Sequence, residues 1–117
     1  MYNKRTIGSE YEDKAVEYMK NSGYVIVERN FYCKQGEVDI IARDGKYLVF
    51  VEVKYRRDTK KGYPAEAVTY YKRNRIIKAS KYYMYKNRIS EGQAVRFDVV
   101  SITNDNIELI KDAFWIE

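Results

Sequence analysis

The chain has no histidine, one cysteine (Cys33) and one proline (Pro64). Without histidine, zinc-hydrolase motifs, Ser-His-Asp triads and Cys-His pairs are excluded together. A lone cysteine forms no internal disulfide, so a reducing, intracellular home fits best. No Gly-rich phosphate loop of the GxxxxGKS/T or GxGxxG form occurs. No stretch approaches the roughly 20 apolar residues of a membrane span, and no basic start leads into an apolar run. The expectation is a soluble, cytoplasmic protein with no membrane partner. Any metal would be held by oxygen, which selects Mg²⁺ or Mn²⁺ ahead of zinc.

Tyrosine and, more modestly, basic residues are in excess. The 117 residues include thirteen tyrosines and carry a net charge of +5. The charge permits an anionic partner such as nucleic acid without establishing one. Tyrosines stack on bases or serve as amphipathic packing. The length suits one domain over 1–117, with a core that needs no staples.

Ile7, Tyr11, Ala15, Tyr18 and Met19 make an apolar stripe that predicts a helix from about Ile7 to Asn21. Asn21-Ser22-Gly23 ends it. Tyr24 to Cys33 reads as a strand. The segments Gly36–Ile41 and Phe50–Arg56 both alternate and read as strands. Asp44-Gly45 between them signals a two-residue hairpin turn. That turn sets Arg43 opposite Lys46, Asp39 opposite Phe50 and Glu37 opposite Glu52. One face is then apolar, with Val38, Ile40, Ala42, Val49, Val51 and Val53. The other passes from Ile41, Leu48 and Phe50 to Glu37, Asp39, Glu52, Lys54 and Arg56.

Residues 57–63 read as a charged loop. Pro64 suits the first turn of a long helix reaching Lys86, with Val68, Ile76, Ile77, Ser80, Tyr83 and Met84 inward. Ala94–Thr103 is a strand, with Val95, Phe97 and Val99 on one side. A turn at Asn104-Asp105-Asn106 leads to a short strand over Ile107–Ile110. A tail follows in which Phe114 and Trp115 appear, Trp115 capping the core. Arg96 and Asp98 share a side and should pair. The order α-β-β-β-α-β-β predicts an α/β domain, a mixed sheet flanked by helices.

Glu52 and Lys54, two apart on a strand, point the same way. Asp39 lies diagonally across, about 7–8 Å away at the backbone and closer at the carboxylates. Acids gathered in this way are costly unless compensated, and a divalent cation compensates them. Lys54 could hydrogen-bond a water beside the metal, or a phosphate oxygen. The plainer reading is a solvated strand face with a Glu–Lys pair.

The Asp39…Glu52-x-Lys54 arrangement resembles the PD-(D/E)xK nuclease superfamily of restriction enzymes and Holliday-junction resolvases. A closer resemblance is to the small bacterial family called YraN. It is carried by Gly36-Glu37-Val38-Asp39-Ile40-Ile41 and Phe50-Val51-Glu52-Val53-Lys54-Tyr55-Arg56. Gly23-Tyr24, Arg29-Asn30, Pro64-Ala65-Glu66-Ala67-Val68-Thr69 and Arg96-Phe97-Asp98-Val99-Val100 add to it. The likeness runs from about Gly8 to Phe114. Val38 stands where the proline of the superfamily motif would be.

The resemblance implies a restriction-endonuclease-like fold. It also implies Asp39 and Glu52 as ligands of Mg²⁺ or Mn²⁺, the Val53 carbonyl as a further oxygen, and Lys54 as the group that orients or activates water. Glu12 matches the helical acid that members often add, although Ser9-Glu10-Tyr11-Glu12 also has the form of a capping box. Glu37 is either structural or a second acidic contact. Arg56 could hold a phosphate. Lys72 either reaches the site or snorkels. Arg75 and Lys78 share a helix face with Tyr82 and Tyr85, interleaving charge with rings. The implied activity is endonucleolytic hydrolysis of DNA, ahead of RNA, with structured or branched DNA among the candidate forms. A two-fold dimer fits enzymes that cut both strands. Two other readings stay open, because fold does not fix activity. One is a non-catalytic nucleic-acid-binding or partner-binding module on a nuclease scaffold. The other is a protein-interaction domain whose tyrosines mark a partner surface.

Overall fold

Five runs of β-branched and aromatic residues lie side by side in one sheet in the computed structural model, which describes residues 4–56, 69–104 and 106–115, with side chains from residue 10 onward. The elements are α1 (Lys4–Asn21), β1 (Val25–Cys33), β2 (Gly36–Asp44), β3 (Tyr47–Arg56), α2 (Tyr70–Lys86), β4 (Val95–Thr103) and β5 (Asn106–Phe114). The strands are ordered β1-β2-β3-β4-β5 across the sheet. Pairing is antiparallel except between β3 and β4, which run parallel. A parallel pair needs a crossover, and α2 lies in that connection. The arrangement is an α/β, restriction-endonuclease-like one, in the expected order. No helix among the described residues is long and apolar enough to cross a membrane.

β3 is apolar on both faces because both are covered. Val49 and Val51 pack with Ala15 and Met19 of α1, whereas Leu48 and Phe50 pack with Ile76 and Tyr83 of α2. The inward set on α2 is Ile76, Ile77, Ala79, Ser80 and Tyr83, with Met84 packed partly against it.

Several boundaries differ from expectation. α1 starts at Lys4, so Ser9 lies inside the helix and Glu12 closes no capping box. Thr69 is the N-cap of α2, its hydroxyl accepting from Lys72 N at 3.2 Å, so this helix opens at Tyr70 and not at Pro64. Pro64, Val68 and the expected loop over 57–63 lie outside the described residues. β5 runs nine residues to Phe114, so the expected tail is mostly strand. Its polar residues misled the reading because β5 is a sheet edge. Phe114 stacks on Phe97 with centroids 5.1 Å apart, while Trp115 is 66% exposed and caps nothing.

The hairpin turn is Gly45-Lys46, not Asp44-Gly45, since Asp44 pairs with Tyr47. Glycine takes the first central position at φ +58°, where one of the favoured hairpin turns wants it. The change moves every partner by two residues, an even number, so the β3 faces survive as read. Val38 does not follow. It packs on the α2 side with Phe31, while Ile40 packs on the α1 side.

Arg96 and Asp98 pair as expected. Asp98 is fully buried and accepts from Arg96 Nε at 2.9 Å, Tyr24 Oη at 2.7 Å and Asp112 N at 3.0 Å. Arg96 Nη2 also reaches Asp44 at 2.7 Å, tying the hairpin to β4. Arg96→Met leaves a buried carboxylate without its cation. The expected loss is about 3–5 kcal/mol, read from the urea midpoint, and Asp98→Asn in the same chain should restore part of it.

Candidate active site

The site forms where β2 and β3 part. Their ladder ends at Ile40↔Val51, and Asp39 and Glu52 are the next residues along each strand. Both acids therefore sit at the mouth of this fork, where Glu52 is near enough for its charge to act on Asp39. Asp39 Oδ2 accepts from Val53 N at 2.9 Å. The N–H and C=O of a strand residue leave on the same edge, so the Val53 carbonyl faces the same gap.

The Asp39 carboxyl is pushed up to about 8. Burial is the main cause, followed by the Glu52 charge; the Val53 N–H and Lys72 pull the other way. Glu52 is 2% exposed and close enough to raise Asp39 through its charge and a side-chain contact. Lys72 Nζ lies 2.5 Å from Glu52 Oε1, and Lys54 Nζ lies 3.6 Å from the same oxygen. Burial, and then a hydrogen bond from Lys72, holds Lys54 below the usual lysine range. Burial also works against the Lys72 charge, but hydrogen bonds to Glu52 and Lys54 outweigh it and raise the group. Ser101 pairs with Lys54 across β3–β4, and its buried hydroxyl has no partner among the described residues.

The other expected residues fall around this centre. Glu12 is buried on α1 and accepts from Arg29 Nε at 2.8 Å and Asn30 Nδ2 at 2.9 Å. Asn30 sits at φ +55°, which breaks alternation and lets consecutive side chains meet one carboxylate. Arg29 pairs with Ile40 and Phe31 with Val38, so Asn30 lies opposite Asp39. Glu12 is thus braced one strand away from the acid pair. Arg29 and Asn30 entered the reading only through family likeness; neither charge nor spacing marks them as Glu12 partners.

Glu37 does not face Glu52. It is exposed and lines a cavity of about 200 Å³ with Tyr32, Cys33, Lys72, Arg75 and Ile76. Cys33 is half-buried there, its thiol free. Arg56 is half-buried at the end of β3, and Lys78 is exposed on α2. The Arg75 guanidinium lies 5.8 Å from the centre of the Tyr71 ring.

Two carboxylates and a backbone carbonyl form an all-oxygen donor set, suited to an ion that keeps several waters, as Mg²⁺ does. No larger group of three acidic, cysteine or histidine ligands gathers among the described residues.

A model of the uncharacterised protein family UPF0102 matches residues 11–102. A UPF0102 protein of Persephonella marina is 51% identical over 110 residues, covering 94% of each chain. One from Lachnoclostridium phytofermentans is 48% identical over 112 residues, covering 96% of this chain and 95% of its own. One from Clostridium botulinum is 46% identical over 121 aligned residues, covering 98% of both. Glu12, Asp39, Glu52, Lys54 and Lys72 all lie within the matched stretch.

Proposed function

The chain belongs to the uncharacterised protein family UPF0102, and we propose that it hydrolyses phosphodiester bonds in DNA with the help of Mg²⁺ or Mn²⁺, structured or branched DNA being among its substrates. The contact between Asp39 and Glu52 carries this reading. Two acids pressed together and partly buried repel each other unless a proton or a cation sits between them. Asp39, Glu52 and the Val53 carbonyl would hold the ion. When bound, it supplies charge stabilisation at the phosphate and eases deprotonation of water.

The side chains around it have separable tasks. Lys54, beside Glu52 at 3.6 Å, orients or activates the attacking water. Lys72, which keeps its charge, neutralises Glu52 and offers an ammonium to a phosphate oxygen. Glu12 steadies β1 beside Asp39 through Arg29 and Asn30. Arg56 extends the β3 face toward the flanking phosphates.

The test is a cleavage screen over linear, branched and single-stranded DNA with Mg²⁺, with Mn²⁺ and with EDTA. Cut product is expected only with a divalent ion. Cleavage that persists in EDTA, or no cleavage of any substrate with either metal, contradicts the proposal.

One observation favours a second reading. The Lys72 ammonium already sits on Glu52 and could replace the ion permanently. The chain would then be a binding module that holds DNA without Mg²⁺ and releases no product.

A further inference from the structure

Helix α2 carries Lys72, Arg73, Arg75, Lys78, Lys81 and Lys86 and not one acid. Helix α1 mixes both signs, with Glu10, Glu12, Asp13 and Glu17 among its residues. The basic excess of the chain therefore gathers in part on one helix, and that helix reaches the acid pair through Lys72.

Its outward face has a regular composition. Tyr71, Arg75, Lys78, Tyr82 and Tyr85 alternate in steps of four and three, which keeps them on one side of a helix. All five are exposed, Tyr85 to 81% and Tyr71 to 71%. The buried residues Ile76, Ser80 and Tyr83 occupy the opposite side. The stripe spans about 21 Å at the helical rise, the length of about six nucleotides at the spacing of one DNA strand. At Arg75 the stripe borders the cavity of about 200 Å³, whose lining the exposed Tyr32 shares with Lys72 and Arg75. That volume admits one ring system, not a duplex.

We propose that α2 is a track for single-stranded DNA, with phosphates on Arg75 and Lys78, bases stacked on Tyr71, Tyr82 and Tyr85, and one base seated in the Tyr32 cavity next to the acid pair. Rings stack on exposed base faces, which a single strand offers and a paired duplex hides. The absence of acids on the helix fits a polyanion along its whole length. This assignment rests on the hydrolase reading for its direction but not for its test.

Cys33 lines the cavity and is the only thiol in the chain, so it reports occupancy of the unmodified protein. In EDTA, where no cleavage is expected, a labelled twelve-nucleotide oligo-dT should bind and slow alkylation of Cys33 several-fold. Tyr82→Ala with Tyr85→Ala, and separately Arg75→Glu with Lys78→Glu, should each weaken binding about tenfold or more. Lys14→Glu with Lys20→Glu, on the exposed side of α1, should change it far less. The proposal is overturned by unprotected Cys33, by tyrosine variants that bind like wild type, by equal losses from the α1 pair, or by a duplex that binds as tightly. Strand binding along α2 with no cleavage of any substrate in Mg²⁺ or Mn²⁺ sinks the hydrolase reading and keeps the track. Cleavage that survives both α2 pairs with KM unchanged does the reverse.

Discussion

Glu52→Ala is expected to lower DNA cleavage about a thousandfold or more, the loss that follows when stabilisation of charge at a transition state is removed. Glu52 is the common partner of the other three charged groups in the site. It meets Asp39, Lys72 and Lys54 at once, from a position that is 2% exposed. Alanine there removes the one acid that meets both Lys54 and Lys72, so an ion loses a ligand and faces an unneutralised Lys72. The fold should persist, because the apolar contacts of β3 come from Val49, Phe50 and Val51. Single-turnover cleavage measured beside thermal unfolding separates the two outcomes. An unchanged rate, or a loss explained wholly by unfolding, counts against the role of Glu52.

Asp39→Asn should make the metal-free protein more stable at pH 9 and inactive at every pH. The asparagine oxygen still accepts from Val53 N, and its amide can donate to the neighbouring Glu52 carboxylate. What disappears is the second negative charge. Asp39 is raised from 3.8 to about 8 on folding, so the folded chain binds a proton that the unfolded chain has released. By linkage, this contribution lowers stability as pH rises from about 4 to about 8, and it is fully unfavourable above that. Wild type should therefore lose several degrees of Tm between pH 6 and pH 9 relative to the variant, corresponding to on the order of a few kcal/mol. Millimolar Mn²⁺ should restore wild type and leave Asp39→Asn unmoved. Parallel pH profiles for the two proteins are the contrary result.

The sheet was legible because alternation over 36–41 and 50–56 is strong and because Asp44, Gly45 and Lys46 allow only a short turn. The face bearing Glu52 and Lys54 was right even though the register was not, since a shift of two residues preserves parity. The slip did hide how close Asp39 comes to Glu52. Lys72 was visible as a helix residue at the edge of an apolar stripe, but whether it snorkels or reaches inward depends on tertiary distance. The contact of Glu12 with Arg29 and Asn30 depends on a left-handed residue in β1, which no period reveals. Trp115 and β5 were misjudged for a related reason: a sheet edge tolerates charge, so its sequence looks like a tail.

Electron paramagnetic titration of Mn²⁺ into the purified chain counts bound ions directly. One ion per wild-type chain is expected, with none retained at the same concentrations by Asp39→Asn or Glu52→Ala. Equal uptake by all three proteins, or none by wild type at millimolar Mn²⁺, would show that these carboxylates do not hold a cation.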